Sequence, residues 1–274
     1  MTATVSSRGY APSSVRMTGT RIDATTTERV DERLAEETPV TLAYNLSPYA
    51  VMMATPADLE DFAVGFSLNE GIVDHACDVQ RVQVVRHARA IELHVDVPQA
   101  VGTAMGSRSR RLSGRTGCGI CGSDDVDRVL RALPAVKSDA RFDVGAVSRA
   151  MEALSTRQPL NDETGAVHAA GWSRADGTLA YVREDVGRHN ALDKLVGALV
   201  RAGERAEEGM VVMTSRGSFE LVQKAAILGV PLLATVSAPT ALAVRVAEGA
   251  GVTLAGFARE GRCTVYSHAE RVSR

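Results

Sequence analysis

Apolar residues recur along this chain in two rhythms. Residues 40–46 and 50–54 are short apolar runs separated by Ser47-Pro48, which predicts a hairpin or a broken pair of strands. In Thr55-Pro56-Ala57-Asp58, Thr55 suits an N-cap and Pro56 the first helical position, where its missing N–H is no loss. Leu59, Phe62, Ala63 and Phe66 then fall at helical spacing, and Gly71 stops the run. Residues 82–86 and 91–97 read as strands. In the second, Ile91, Leu93, Val95 and Val97 face one way and Glu92, His94 and Asp96 the other. The pattern predicts a small α+β subdomain over residues 23–97. A Thr, Ser, Gly and Pro-rich tail over residues 1–22 precedes it and is expected to be disordered.

The second rhythm starts at Ser123, placed to cap a helix carrying Val126, Val129, Leu130 and Leu133 and ended by Pro134. A further helix carries Val144, Val147, Met151 and Leu154. Strands at 179–182, 210–214, 232–236 and 253–257 alternate with helices near 189–201, 218–228 and 240–249, and a last strand falls at 263–266. Aliphatic strands alternating with amphipathic helices predict an α/β domain over residues 124–274, with a largely parallel sheet and helices on both faces.

Residues 98–123 lie between the two and follow neither rhythm. They hold Gly102, Gly106, Gly114, Gly117, Gly119 and Gly122, with Arg108, Arg110, Arg111 and Arg115, and no acid. A long, mobile, positively charged loop is expected.

Composition narrows the function classes. The 31 Lys and Arg against 33 Asp and Glu leave a net charge of −2, against a general nucleic-acid or membrane-surface binder. The hydrophobic fraction of 45% supports a buried core, and aromatics at 4% make that core aliphatic. Cys77, Cys118, Cys121 and Cys263 are too few for a disulfide scaffold. No secretory signal and no apolar run of membrane-spanning length is present, so a soluble cytoplasmic protein is expected.

Cys118-Gly119-Ile120-Cys121 is the strongest chemical signal. A zinc half-site would need two more ligands, and no second Cys-x-x-Cys supplies them. A thioredoxin-type pair would open a helix after a strand rather than sit among glycines. A reactive thiol needs exposure, mobility and a depressed pKa, which the glycines and arginines around it would provide. Incidental cysteines are the remaining reading. Cys77 and Cys263 read as small buried hydrophobes, and Phe66, Trp172 and Phe219 as core.

The strand exits form a second signal, since ligands of open α/β sheets bind beyond the carboxyl ends of strands. They read Glu184-Asp185-Val186-Gly187-Arg188-His189-Asn190, Ser215-Arg216-Gly217-Ser218, Ser237-Ala238-Pro239-Thr240 and Arg259-Glu260-Gly261-Arg262. Ser218 and Thr240 fall at helix starts, where free N–H groups favour anions, and the arginines suit phosphate. Ordinary N-caps account for any one of these loops, but less well for four that carry arginine. His189 reads as a proton carrier beside Asp185 or as a structural histidine.

Thr116–Gly122, Arg183–Lys194 and Ser237–Thr240 together resemble the formate dehydrogenase accessory sulfurtransferase family, as do Ala54–Phe62 and Gly256–Arg259. The resemblance runs in order from about residue 40 to 268. It implies a cytidine-deaminase-like three-layer α/β/α core. It also implies a sulfurtransferase that takes persulfide sulfur from a cysteine desulfurase and delivers it to the molybdenum bis(molybdopterin guanine dinucleotide) cofactor, bound as substrate, for the formate dehydrogenase catalytic subunit. By matching position Cys118 would carry the persulfide and Cys121 would assist or resolve it. Phe257, Ala258, Arg259, Glu260, Gly261 and Arg262 would lie against the cofactor, with Ser215, Arg216, Ser237 and Thr240 at the adjoining strand ends. A homodimer is implied as well; no resident metal is. Two positions depart from the family's habit: Gly165-Ala166 where Gly-Gly is commoner, and Glu260 where Gly is commoner. The alternative is a chaperone that binds the cofactor and the apo-enzyme without carrying sulfur.

Overall fold

The computed structural model describes residues 12–106 and 133–274. The chain opens with an antiparallel ribbon, β1 (Ser14–Ile22) and β2 (Thr27–Ala35), where a disordered tail was expected up to residue 22. Asp23 organises its turn, accepting hydrogen bonds from the backbone and hydroxyls of Thr25 and Thr26. The ribbon carries too few apolar positions to announce itself; cross-strand pairs such as Thr18 with Asp31 and Arg21 with Glu28 line it instead.

The smaller α+β unit is a four-stranded sheet in the order β4-β3-β6-β5. It comprises β3 (Thr38–Tyr44), β4 (Ser47–Ala54), β5 (Arg81–Arg86) and β6 (Ile91–Asp96). The β3–β4 hairpin turns at Asn45-Leu46, both at positive φ, so Ser47-Pro48 lies inside β4 and is not the break. Ile91, Leu93 and Val95 are buried, as their alternation requires. Helix α1 (Leu59–Asn69) covers the sheet with Leu59, Phe62, Ala63 and Phe66. Its N-cap is Asp58 rather than Thr55, and α2 (Gln99–Gly106) occupies the start of the stretch expected to be loop.

The larger unit is built on a six-stranded sheet in the order β13-β12-β11-β10-β8-β9. Its strands are β8 (His168–Arg174), β9 (Leu179–Asp185), β10 (Gly209–Met213), β11 (Leu232–Thr235), β12 (Thr253–Arg259) and β13 (Arg262–Val265). A short parallel pair, β7 (Phe142–Asp143) with β14 (Val272–Ser273), lies outside it. Within the six-stranded sheet, only the neighbours β10, β11 and β12 pair in parallel. The sheet is therefore mixed rather than largely parallel, because β8–β9 is an antiparallel hairpin and β13 folds back on β12.

Helices cover both faces, giving three layers. Helices α5 (Arg188–Ala202), α6 (Phe219–Leu228) and α7 (Ala241–Ala250) pack on one face against Val211, Met213, Leu233 and Leu254. Helix α3 (Val144–Ser155), capped by Asp143, packs on the other against Met210, Val212, Leu232 and Ala234, and a short α4 (Pro159–Thr164) follows. Alternate residues of one strand thus feed two cores. No helix among the described residues is long and apolar enough to cross a membrane.

Candidate functional site

The Arg183–Lys194 segment divides between two roles, and most of it is spent joining the two units. Asp185 and Lys194 form a fully buried ion pair at 2.6 Å. Asp185 also accepts hydrogen bonds from the backbone N–H groups of Thr55 and Gly187 and from the Asn190 amide, while Lys194 donates to the Thr55 carbonyl. The Thr55 hydroxyl accepts from the Val186 N–H, which is what this residue does instead of capping α1. Immediately before Lys194 on α5, Asp193 takes Lys224 of α6 and Asn69 of α1, and Asp61 of α1 takes Arg183 and Arg201. Buried charge is tolerated here because nearly every partner is supplied.

Two glycines allow this closeness. A Cβ on Gly65 would stand 1.8 Å from the Asp193 carbonyl oxygen, and one on Gly197 would stand 1.9 Å from that of Asp61. Helices α1 and α5 therefore touch backbone to backbone, which any side chain at either position would prevent.

Beyond the seam, the carboxyl ends of β10, β11 and β12 are stitched into one ledge. Gly217 N–H donates to the Ala238 carbonyl, Thr240 N–H to the Gly217 carbonyl, and Phe257 N–H to the Ser237 carbonyl. Ser215 is buried, whereas Arg216, Ser237 and Thr240 are exposed. Thr240 caps α7 through its hydroxyl, which accepts from the Ala243 N–H. Phe257 sits at a bulge between β12 and β13 with φ 53, left-handed for a bulky residue, and the residue is 38% exposed. Bulges and strained residues of this kind concentrate beside binding sites, where they re-aim a side chain.

The following turn carries the second departure from the family's habit. Glu260 and Gly261 both have positive φ, so glycine suits either position, yet Glu260 adopts the conformation and turns its carboxylate to Arg262 at 3.1 Å. The other departure is benign, since Gly165 keeps the left-handed cap of α4 and Ala166 is exposed. Ala258 is buried under the bulge, leaving Phe257, Arg259, Glu260, Gly261 and Arg262 on the surface.

The same edge of the sheet brings His168, Arg188, His189, Ser218 and Glu220 into one neighbourhood. His189 does not pair with Asp185. Its Nε2 faces Glu220 at 3.9 Å, a residue that no pattern in the sequence singles out. Half-burial would raise the Glu220 carboxyl, but the His189 ring and the Ser218 hydroxyl beside it outweigh that and hold it down to about 2. Burial, together with Arg188 and His189, holds the His168 imidazole below its usual range.

The expected sulfur-carrying pair, Cys118 and Cys121, lies outside the described residues, as do the arginines around it and the helix expected after Ser123. Cys77 is exposed, against the expectation of burial, while Cys263 is half-buried and its thiol is pushed up by that burial. Phe66 and Trp172 are core residues, and Phe219 packs at the core's margin. Among the described residues no cluster of His, Cys, Asp and Glu could hold a metal ion.

The chain is similar to known proteins over nearly its full length. The FdhD/NarQ family profile matches residues 35–273. The chain is 51% identical to sulfur carrier protein FdhD of Xanthomonas axonopodis pv. citri, covering 97% of this chain and 95% of that protein. It is 51% identical to sulfur carrier protein FdhD of Cupriavidus necator over 88% of this chain and 84% of that one. The fold matches the crystal structure of a protein described as a formate dehydrogenase accessory protein from Desulfotalea psychrophila. The TM-score is 0.76 at 25% identity, covering 96% of this chain and 100% of that one. With the family profile spanning both units and the seam between them, this chain belongs to the FdhD/NarQ family.

Proposed function

We propose that this protein is a sulfur carrier for formate dehydrogenase maturation, working through a persulfide on Cys118. The observation that carries the reading is the 51% identity, over nearly the full length, to proteins named as sulfur carriers. The acid-free, arginine-bearing stretch of residues 98–123 that holds Cys118 and Cys121 adds to it, because positive potential favours the thiolate that must act as nucleophile.

The chemistry is a thiol exchange. The Cys118 thiolate attacks the outer sulfur of a persulfide on a cysteine desulfurase; the donor S–S bond breaks, the donor cysteine leaves as thiolate, and the sulfur is now bonded to Cys118. Cys121, three positions along, can then attack the Cys118 sulfur, forming a disulfide and expelling the outer sulfur as hydrosulfide, after which a cellular thiol reduces the pair. The acceptor is the molybdenum bis(molybdopterin guanine dinucleotide) cofactor, bound as substrate before the formate dehydrogenase catalytic subunit receives it. The exposed arginines of the ledge, Arg216, Arg259 and Arg262, suit its phosphates. A cytidine-deaminase-like three-layer α/β/α core, a cytoplasmic location and a homodimer belong to the same reading.

The test is genetic. In cells lacking their own copy, Cys118→Ala is expected to abolish formate dehydrogenase activity while the protein accumulates normally. Full activity with Cys118→Ala contradicts the mechanism and leaves the cofactor-binding chaperone.

A further inference from the structure

The ribbon of β1 and β2 reaches out from the rest of the chain. Every residue from Arg16 to Arg29 is exposed, and strands of this length carry the tip roughly 20 Å from the base. The anchors are at that base. Glu36 N–H donates to the Ser13 carbonyl, the Ser14 hydroxyl donates to Glu163 of α4, and Arg33 pairs with the same carboxylate. A two-stranded ribbon is marginally stable by itself, and among the described residues no third strand pairs with either of its edges. The FdhD/NarQ profile begins at Ala35, where the ribbon ends.

The strand register sorts the ribbon's charges by face. On one face Arg21 pairs with both Glu28 and Glu32, so its charges are matched internally. On the other, Arg16 stands opposite Arg33 and Arg29 opposite Thr20, while the one acid of that face, Asp31, accepts from the Thr18 hydroxyl. Arg33 turns to Glu163, but Arg16 and Arg29 make no ion pair among the described residues. Like charges set opposite each other destabilise a strand pair, so folding gives no reason for this face. Carboxylates arriving from outside would give one.

The overall balance selects the kind of partner. Over residues 14–35 four arginines meet four acids, so the ribbon lacks the net positive charge that draws a nucleic acid or an anionic membrane. A protein surface with carboxylates placed for one face matches it. Position narrows the choice. Leu160 and Asn161 at the start of α4 donate their N–H groups to Glu184 near the end of β9. Strands β9 and β10 run the same way, because each is antiparallel to β8 between them. The ribbon therefore rises from the edge of the sheet that carries the ledge, two strand spacings, about 10 Å, from β10. A protein receiving the cofactor at the ledge comes within reach of it.

We propose that the ribbon is a docking arm for the formate dehydrogenase catalytic subunit, with Arg16 and Arg29 pairing with carboxylates on that protein. This rests on the reading that the chain serves formate dehydrogenase maturation.

The test compares the full-length protein with the double variant Arg16→Glu, Arg29→Glu and with Arg16→Lys, Arg29→Lys. The probes are the purified formate dehydrogenase catalytic subunit without its cofactor and, separately, a cysteine desulfurase. Both positions are exposed, so the midpoint of thermal unfolding should stay within a few degrees. Charge reversal is expected to weaken binding of the catalytic subunit by about tenfold or more, and the lysine variant by only a few-fold. Wild-type binding should also weaken as salt rises. Desulfurase binding and persulfide loading should not change. Unchanged binding of the catalytic subunit in the reversal variant overturns the proposal, as does an equal loss for the desulfurase. A shift in the protein's own oligomeric state on reversal would assign the ribbon to a second copy and overturns it too. In cells lacking their own copy, wild-type protein that restores no formate dehydrogenase activity sinks the maturation reading itself. Restoration by the reversal variant as full as by wild type sinks only the docking arm.

Discussion

The seam and the ledge are built from neighbouring residues and treat polar groups in opposite ways. At the seam, Asp185, Asn190, Asp193 and Lys194 are almost wholly buried and engaged with Thr55, Met53, Asn69 or Lys224. At the sheet edge, Arg216, Arg259 and Arg262 reach solvent, and His189 and Ser218 are buried with atoms unpaired. Satisfied burial makes a scaffold; unsatisfied burial and exposed charge make a place for something else. One unbroken stretch, Asp185 to Lys194, supplies both, so membership of a recognisable motif does not say which role a residue plays.

The largest effect that separates the regions is expected at the ion pair. Lys194→Met leaves Asp185 buried without its cation and should cost about 3–5 kcal/mol in urea unfolding, part of which Asp185→Asn restores in the double variant. Gly197→Ala should cost about 1–3 kcal/mol or more, because a methyl group would collide with the Asp61 carbonyl and push α1 from α5. At the ledge the sign reverses. Glu260→Gly relieves a left-handed residue and should stabilise by about 1 kcal/mol in urea unfolding while freeing Arg262 from its ion pair. If ledge variants destabilise as much as seam variants, the division between scaffold and site is wrong.

The smallest difference is pH-dependent. The folded protein keeps His168 neutral, so the unfolded chain takes up this proton first as pH falls. The stability this contributes is present above the unfolded value of about 6.5 and is lost as pH drops below it. His168→Gln should flatten the stability profile in that window, read as the midpoint of thermal unfolding across pH; an unchanged slope would remove His168 from the account.

Periodicity made the alternation of β10 to β12 with α6 and α7 legible, because Val211, Leu233 and Leu254 lie on strands buried on both faces. It did not reveal β8, whose Ala169, Ala170 and Gly171 have weak strand preference and pair only through tertiary context. The ribbon Ser14–Ile22 escaped for a related reason, since its alternation is carried by charges and threonines. In the site, helix-start serines and strand-end arginines could be read one residue at a time. Glu220 could not, because its importance comes from His189 as well as from its near neighbour Ser218, and His189 meets it only when α5 and α6 lie side by side. Thr55 was misread because its hydroxyl serves a segment more than a hundred residues away.

The central claim is that Cys118 carries the sulfur. It is tested most directly by intact-protein and peptide mass spectrometry after incubation with a cysteine desulfurase and cysteine. The account predicts one added sulfur on the peptide containing Cys118, removed by reductant and absent in Cys118→Ala. No added sulfur on the wild-type protein, or the same gain in Cys118→Ala, would contradict it.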